Sequence, residues 1–590
     1  MYEVETISNL SLPHKVTIEG DTYYIMKEED SYRMLSSSCP HQGAKVKFND
    51  DKFSCPVHGW EFDLSGKCVN IKNQSLYSIE LVESNGKLLV DLSKLNTVVD
   101  RRLKSEKSTS IDIDFKVHAH ACLEICHNGF SFLTDPWLDG PAFYGSWAQH
   151  PKPKVKIKEL MPDVIWITHE HSDHFHINSM EQFDKDIPVY FPNFPNKRIE
   201  TELIKLGFTN INPVSFGQEY IINDNISIIC YEPESVWNDS ILHIAVNDFH
   251  ILNVNDAGVN HKIKKYLPPI DLLCSSFSPG ASGYPLCWDV SEEEQKQYYS
   301  KVKTGTIEML RQSMEMYRAK FLLPFASHFR LQHPDHEQFN LNIGKNNIMD
   351  VKTNLNEHQV IDLLPGESWN SLTGAFFRVY NEASREKLYK SRKYLFNMDE
   401  FSKFYPINKE TKKKDVEAYI LNLNNSPDIV HCENIQVKIN DIDFYVEYGK
   451  LYLGKNSETN LYIEVPDEIL YHLIRNNVSW DEAHIGYWCR MKRTGEYNQN
   501  FWRVLQCPYY MKRSDKVDDN LMNMNVNHLL KNNARVDAIL RRYGLYCSSC
   551  SASFKENLSQ AIKYHGLSDY DSEKLIKELN FVIHNTETSL

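Results

Sequence analysis

The chain has 590 residues, 42% of them hydrophobic and 24% charged, with a formal net charge of −14. That length exceeds what one hydrophobic core supports and predicts three or four domains. The acidic balance excludes a non-specific nucleic-acid binder, which needs a basic footprint. No apolar stretch approaches the ~18 residues that span a membrane. The acidic start, Met1–Glu5, lacks the basic-then-apolar layout of a signal peptide, so a cytoplasmic protein is expected. In such a reducing compartment the thirteen cysteines point to metal ligation rather than disulfides wherever they pair up.

Residues 1–95 alternate in the manner of short strands, at Lys15–Ile18, Thr22–Met26, Ser78–Val82 and Lys87–Asp91. Between them, Cys39-Pro40-His41 and Cys55-Pro56-Val57-His58 place a C-x-H and a C-x-x-H on separate loops. Two thiolates and two imidazoles are the set a Rieske centre needs, with both Cys on one iron and both His on the other. A structural zinc ion accepts the same set. Both loops open with Cys-Pro and carry a glycine soon after the histidine (Gly43, Gly59), and Trp60–Asp63 follows. In these features the segment resembles a Rieske domain. The resemblance implies an all-β fold with a [2Fe-2S] cluster on Cys39, His41, Cys55 and His58, delivering one electron at a time to a neighbouring site.

A polar linker, 96–110, leads to a second domain expected over 110–383. Strands are predicted at Ile111–Val117, Phe130–Thr134, Val189–Phe191 and Ile226–Tyr231, and a helix at Lys197–Leu206. The apolar run Val164–Ile167 reads as a buried strand, and directly behind it stands Thr168-His169-Glu170-His171-Ser172-Asp173-His174. Three imidazoles and a carboxylate on one loop suit iron or zinc. The alternative, a solvated polar turn, leaves so dense a cluster to chance. This H-x-H-x-D-H loop resembles that of the metallo-β-lactamase fold superfamily and implies an αββα sandwich with metal at the strand ends. By the same resemblance, Asp256, behind the strand His250–Asn255, takes the place of a potentially bridging carboxylate, and His328 is the candidate for a late histidine ligand. A core or surface histidine fits His328 equally well. The stretch Tyr231–Asp239 carries no histidine where the superfamily usually supplies one, so Glu232 or Glu234 is the candidate there. His243 reads as structural. A missing imidazole weakens a two-zinc hydrolase and leaves room for iron with open positions.

The aromatics Trp137, Phe143, Tyr144 and Trp147 read either as core or as a wall for a base or sugar ring. Ser291–Glu294 reads as a capping box opening a scaffold helix to about Ala319. Lys301, Lys303, Arg311 and Arg318 on that helix read as a solvated face rather than phosphate ligands. Residues 384–511 read as a mixed region, with helices at Trp480–Lys492 and Asn500–Leu505, strands near Ile435–Leu453, and no chemistry of their own. Residues 520–590 read as a small helical domain. Its Cys547-x-x-Cys550 fits a redox pair, half a metal site or two structural thiols.

The two metal modules, in this order, resemble one family in particular, the CMP-N-acetylneuraminate hydroxylases. The matching stretches are His120–Cys122, Asp135–Leu138, Gly140–Phe143, Thr168–His174, Phe277–Pro285, Pro324–His328, His333–Asp335 and Ile485-Gly486. The resemblance implies an α+β multidomain monooxygenase. A Rieske cluster would feed one or two non-haem irons held by His169, His171, Asp173, His174, Asp256 and His328, with O2 as co-substrate. Asp173 bridges, ligates or serves as a catalytic base. The expected substrate is a small molecule, a sugar nucleotide such as CMP-N-acetylneuraminate, or else an amine or natural product. The expected donor is a ferredoxin or a cytochrome-b5-type protein with its reductase, and a homodimer is compatible with the chain. A zinc metallohydrolase with a regulatory Rieske domain and a non-catalytic electron carrier are the competing classes.

Overall fold

In the computed structural model, residues 2–90 are described apart from short loops that include 41–43 and 57–58, and residues 111–332 apart from 195, 235–237 and 281. Residues 344–390, most of 412–510 and helical pieces between 521 and 579 are also described. His41, His58, the linker 96–110, His333–Asp335 and Cys550 therefore lie outside the described residues. The chain divides into one compact unit of residues 1–194, 198–407 and 481–490 and a second of 195–197, 408–480 and 491–590.

The first unit begins with a six-stranded sheet in the order Tyr2–Thr6, Lys87–Val90, Ser78–Ser84, Ser31–Ser36, Asp21–Glu28 and His14–Ile18. A three-stranded sheet, Lys47–Asn49, Lys52–Ser54 and Glu61–Phe62, accompanies it and carries Cys55 in its second connection. Alternation decides the faces, since every second side chain of a strand points inward. Tyr23, Ile25, Met34, Ile79 and Leu88 are buried together on that account.

Residues 114–377 supply two facing sheets. One has eight strands, ordered Ile211–Val214, Val189–Pro192, Val164–Trp166, Phe130–Thr134, Leu123–His127, Asp114–Val117, Ser368–Asn370 and Phe376–Phe377. The other has seven, ordered Glu219–Asn223, Ile226–Tyr231, Ile241–Val246, Phe249–Asn255, Leu272–Ser276, Phe321–Phe325 and Gln359–Val360. Phe115, Ile125, Phe132 and Trp166 meet Ile228, Ile244, Ile251 and Leu323 between them. The outer face of the first sheet is covered by Phe175, Met180, Ile199 and Leu203, the last two on the helix Arg198–Lys205. The outer face of the second is covered by Leu310, Met314 and Tyr317. These lie on the helix Glu292–Tyr317, which opens with the Ser291/Glu294 capping box and ends at Arg318 in the left-handed conformation. The result is an αββα sandwich.

Strand direction positions the site. Phe130–Thr134 runs parallel to Val164–Trp166, and Phe249–Asn255, Leu272–Ser276 and Phe321–Phe325 run parallel to one another. The carboxyl ends of parallel strands are where open sheets gather their ligands. Asp135, Thr168–His174, Asp256 and His328 each lie just beyond such an end.

In the second unit, Ile435–Ile439, Ile442–Glu447, Lys450–Leu453 and Leu461–Glu464 share a sheet. The amphipathic helix Asp467–Arg475 buries Ile469, Leu470, Leu473 and Ile474. Helices Val526–Asn532, Ala534–Arg542 and Leu558–Tyr564 enclose a separate apolar cluster that includes the buried Cys547. Among the described residues no helix is long and apolar enough to cross a membrane. One expectation fails: Trp480–Lys492 is not a helix. Only Asp481–His484 is helical, and Arg490–Arg493 is a strand.

Candidate metal centre

Cys39 and Cys55 are fully buried and share one apolar cluster with Leu35, Val46, Phe53, Trp60 and Phe62. Each loop closes on itself. The Cys39 N–H donates to the Ala44 carbonyl at 2.8 Å, and the Cys55 N–H donates to the Trp60 carbonyl at 2.7 Å. Gly59, at φ +71°, gives the second loop a left-handed turn that a side chain would strain. Two buried thiols in one apolar cluster suit an iron–sulfur cluster held by cysteine.

At the other site, Thr168–His174 is tied down before it can bind anything. The Thr168 N–H and hydroxyl donate to the two Asp135 carboxylate oxygens, each at 2.8 Å. Asn255 Nδ2 donates to Thr168 Oγ1 at 2.8 Å, and the Ser240 hydroxyl donates to the Thr168 carbonyl at 2.7 Å. Asp135 also lies 3.1 Å from His174 Nδ1, which leaves Nε2 of that ring facing the pocket. Asp135 (φ +37°) and Asn255 (φ +52°) occupy conformations that L-residues rarely adopt, a pattern that marks over-determined functional loops.

The ligand atoms converge in two overlapping trios, His120/Asp173/His174 and His169/His174/Asp256, each with its donor atoms within 4.8 Å of one another. His120 Nε2 is 3.1 Å from Asp173 Oδ2, and His174 Nε2 is 3.5 Å from Asp173 Oδ2 and 3.6 Å from Asp256 Oδ2. Both ring nitrogens of His120, Nε2 of His174 and Oδ1 of Asp173 are buried without a hydrogen-bond partner. A buried polar atom left unsatisfied costs about 1–3 kcal/mol. A cation shared by these atoms removes that cost, so the donor set fits a metal of the iron or zinc type. Burial opposes charge on both members of the Asp173–His174 pair, but their mutual attraction prevails. Asp173 is held well below the usual carboxylate range and His174 well above the usual imidazole range.

His171 and His328 join neither trio. His171 Nδ1 is 2.9 Å from His169 Nε2, and its Nε2 is 3.9 Å from Asp481 Oδ2. Burial would lower its pKa, but the Asp481 carboxylate raises it to about 9. His328 is buried beside the Phe277 ring at 5.4 Å, with Nε2 unpartnered. Burial, then the nearby His120, keeps it neutral. Glu234 pairs with His261, whose Nδ1 lies 3.8 Å from its Oε2, and neither Glu232 nor Glu234 belongs to the two trios. Asp239 Oδ1 lies 3.5 Å from His169 Nδ1, and burial, with Asp256 adding, pushes its pKa up to about 8. His243 pairs across strands with His250 at 3.2 Å, away from the metal ligands.

Three contributors escaped the sequence reading: His120, Asp239 and the pair Asp481/Glu482. Glu482 accepts from the Ser172 N–H at 3.1 Å and hydroxyl at 2.8 Å, and burial raises its pKa to about 7. Residues 481–490 are seated by glycine. A Cβ on Gly283 would overlap the His484 ring and carbonyl, and one on Gly486 would lie 3.0 Å from the Phe143 carbonyl. Trp147 Nε1 and Trp488 Nε1 donate to the Ile485 and Phe143 carbonyls at 3.1 and 3.0 Å. Gly283→Val should therefore dislodge Asp481 and Glu482 while leaving the sandwich folded. The expected readout is an unchanged far-ultraviolet spectrum with weakened metal retention. Trp137, Phe143 and Trp147 are core: Trp147 stacks on Phe329 at 3.6 Å, and Trp137 meets His120 edge-on at 5.4 Å. They back the pocket rather than line an open surface.

Asp135 is the outer partner whose loss should be felt most. Asp135→Ala should lower metal affinity about 10–100-fold, as loss of the group orienting a ligand histidine typically does. Metal retained through chelator dialysis measures it.

The family model described as Rieske [2Fe-2S] domain matches residues 1–81, and that described as beta-lactamase superfamily domain matches residues 114–268. The cytidine monophosphate-N-acetylneuraminic acid hydroxylase of Mus musculus is 24% identical over 547 residues, covering 82% of this chain and 91% of the mouse protein. That of Danio rerio is 24% identical over 535 residues, covering 83% of this chain and 89% of the fish protein. The chain thus joins a Rieske domain to a beta-lactamase superfamily domain and is similar over most of its length to the cytidine monophosphate-N-acetylneuraminic acid hydroxylases.

Proposed function

We propose that the protein is a Rieske-fed, iron-dependent hydroxylase of a sugar nucleotide of the CMP-N-acetylneuraminate type. The observation that carries this reading is the joining, in one folded unit, of two buried cysteine loops to a pocket of unsatisfied imidazole and carboxylate atoms. Cys39 and Cys55, with His41 and His58, would hold the [2Fe-2S] cluster. His120, His169, Asp173, His174 and Asp256 would hold one or two irons, with His171, Asp239 and His328 beside them. Bound iron supplies dioxygen activation, using electrons that arrive singly through the Rieske domain. The chain's own residues do the rest. Asp135 fixes the orientation of His174, the Thr168 clamp fixes the loop, and the buried aromatics behind His120 exclude water. Glu482, held on Ser172, is placed to accept or return a proton at its carboxylate beside His171.

The donor assigned here is a one-electron carrier of the ferredoxin or cytochrome-b5 type with its reductase, in the cytoplasm. The domain limits assigned are 1–95, 110–383, 384–511 and 520–590, with 481–490 folding back onto the metal domain. The test supplies CMP-N-acetylneuraminate, a reductant and a carrier, and follows dioxygen uptake. Uptake that depends on the sugar nucleotide and yields a product heavier by one oxygen atom is expected. Hydrolysis of the nucleotide without uptake would instead identify a metallohydrolase. In a homodimer, electrons could cross between chains. A mixture of Cys55→Ser and His174→Ala proteins, each inactive alone, should stay inactive if transfer is within one chain, and recovered activity would show the other route.

A further inference from the structure

The cysteine loops rest on the metal domain through a small set of specific contacts. The hydroxyl of Ser38, the residue before Cys39, lies 2.7 Å from Nε2 of His261. The Lys45 N–H donates to Gln312 Oε1 at 3.0 Å. Val259 and Met309 enter the apolar cluster that surrounds Cys39 and Cys55. Val259 and His261 belong to the loop that leaves the strand Phe249–Asn255, and the first residue of that loop is Asp256. One loop therefore carries a member of the metal pocket at its start and the Rieske contact five residues on.

His261 is itself held in place. Its N–H donates to Glu234 Oε1 at 3.1 Å, and its Nδ1 lies 3.8 Å from Glu234 Oε2. With a carboxylate on the Nδ1 side, a proton there leaves Nε2 to accept the Ser38 hydroxyl. The Asn260 N–H donates to Tyr317 Oη at 2.9 Å, and Asn260 Nδ2 donates to the Glu232 carbonyl at 2.6 Å. His261 and Glu234 are almost fully buried. A buried polar pair is weak evidence for stability, and setting registry is the best-attested use of one.

We propose that His261 is a positioning residue that seats the Cys39 loop on the Asp256 loop and thereby sets the electron-transfer distance between the two metal sites. The step it serves transfers one electron: the reduced cluster is oxidised and ferric iron in the His/Asp pocket becomes ferrous, with no bond made or broken. Tunnelling weakens exponentially with separation, so a loosened loop slows the transfer without altering either metal. The inference rests on the preceding reading only in that both sites hold iron.

The test uses full-length, iron-loaded protein without any sugar nucleotide. The cluster is reduced anaerobically with a sub-stoichiometric amount of dithionite, and the decay of its EPR signal is followed as the electron reaches ferric pocket iron. His261→Ala is expected to slow that decay severalfold, because the tunnelling rate falls exponentially as the loosened loop lengthens the gap. Its iron content, EPR line shape and cluster potential should match wild type, and amide exchange over residues 36–46 should rise. His261→Gln, whose amide oxygen can accept the Ser38 hydroxyl, should recover most of the rate. Ser38→Ala, which removes only that hydroxyl, should reproduce the slowing and serves where His261→Ala folds poorly. Unchanged decay and exchange in both variants would overturn the proposal, as would a shift in cluster potential large enough to account for the slowing. A pocket loaded with zinc would defeat the hydroxylase reading, while exchange over 36–46 would still report the docking.

Discussion

Replacing His174 by alanine should abolish turnover while leaving the Rieske EPR signal intact. His174 is common to both trios of ligand atoms, and its ring is fully buried with Nε2 directed at Asp173 and Asp256. Its loss takes a donor from each metal position and leaves the buried Asp173 carboxylate with His120 alone of the two histidines that hold its pKa down. Removing even an outer partner of a ligand histidine costs about 10–100-fold, so removing the ligand should cost roughly two orders of magnitude or more. Elemental analysis should show the iron of the cluster retained and the pocket iron lost. Cys55→Ser should do the reverse, keeping pocket metal and losing the cluster signal. Retained dioxygen uptake in His174→Ala would place the reaction elsewhere.

The largest loss of stability is expected from Arg385→Ala. Arg385 bonds Asp362 at 2.7 Å and also contacts Glu367, whose carboxylate is completely buried. Glu367 accepts as well from the Leu364, Val379 and Tyr380 N–H groups, so it ties the last strands of the sandwich to the helix Glu382–Lys390. Removing one partner of a buried ion pair costs about 3–5 kcal/mol; Arg378 at 3.2 Å from Glu367 and Lys352 at 3.3 Å from Asp362 remain as cations, which puts this loss at the low end of that range. Lys156→Ala gives the contrast. Its pair with Glu159 is largely exposed, and such pairs contribute about 0–1 kcal/mol. Urea titration of the two variants should separate them clearly.

Much of this arrangement was legible in the sequence because it is local. A buried strand followed at once by Thr168–His174, or two Cys-Pro loops among alternating strands, needs no knowledge of tertiary contacts. The strand-end position of Asp256 was readable for the same reason. What escaped was assembled at long range. His120 stands beyond a strand end just as Asp135 does, and that signal was present, but only the packing of the two sheets shows that it meets Asp173. Asp239 belongs to the same stretch, Tyr231–Asp239, as Glu232 and Glu234, and nothing in its sequence neighbours distinguishes it from them. Trp480–Lys492 has helical spacing, and tertiary packing overrides it. Gly486 against Phe143 and Gly283 against His484 hold the segment in a form that a continuous helix cannot adopt.

The most direct measurement is a single turnover in labelled dioxygen. Protein with a reduced cluster and ferrous pocket iron, freed of excess reductant, is mixed with CMP-N-acetylneuraminate and isotopically labelled dioxygen. A product carrying one labelled oxygen atom, formed as the Rieske signal decays, is expected. Product that takes its oxygen from water, or a cluster that stays reduced while product forms, would contradict a Rieske-fed hydroxylase.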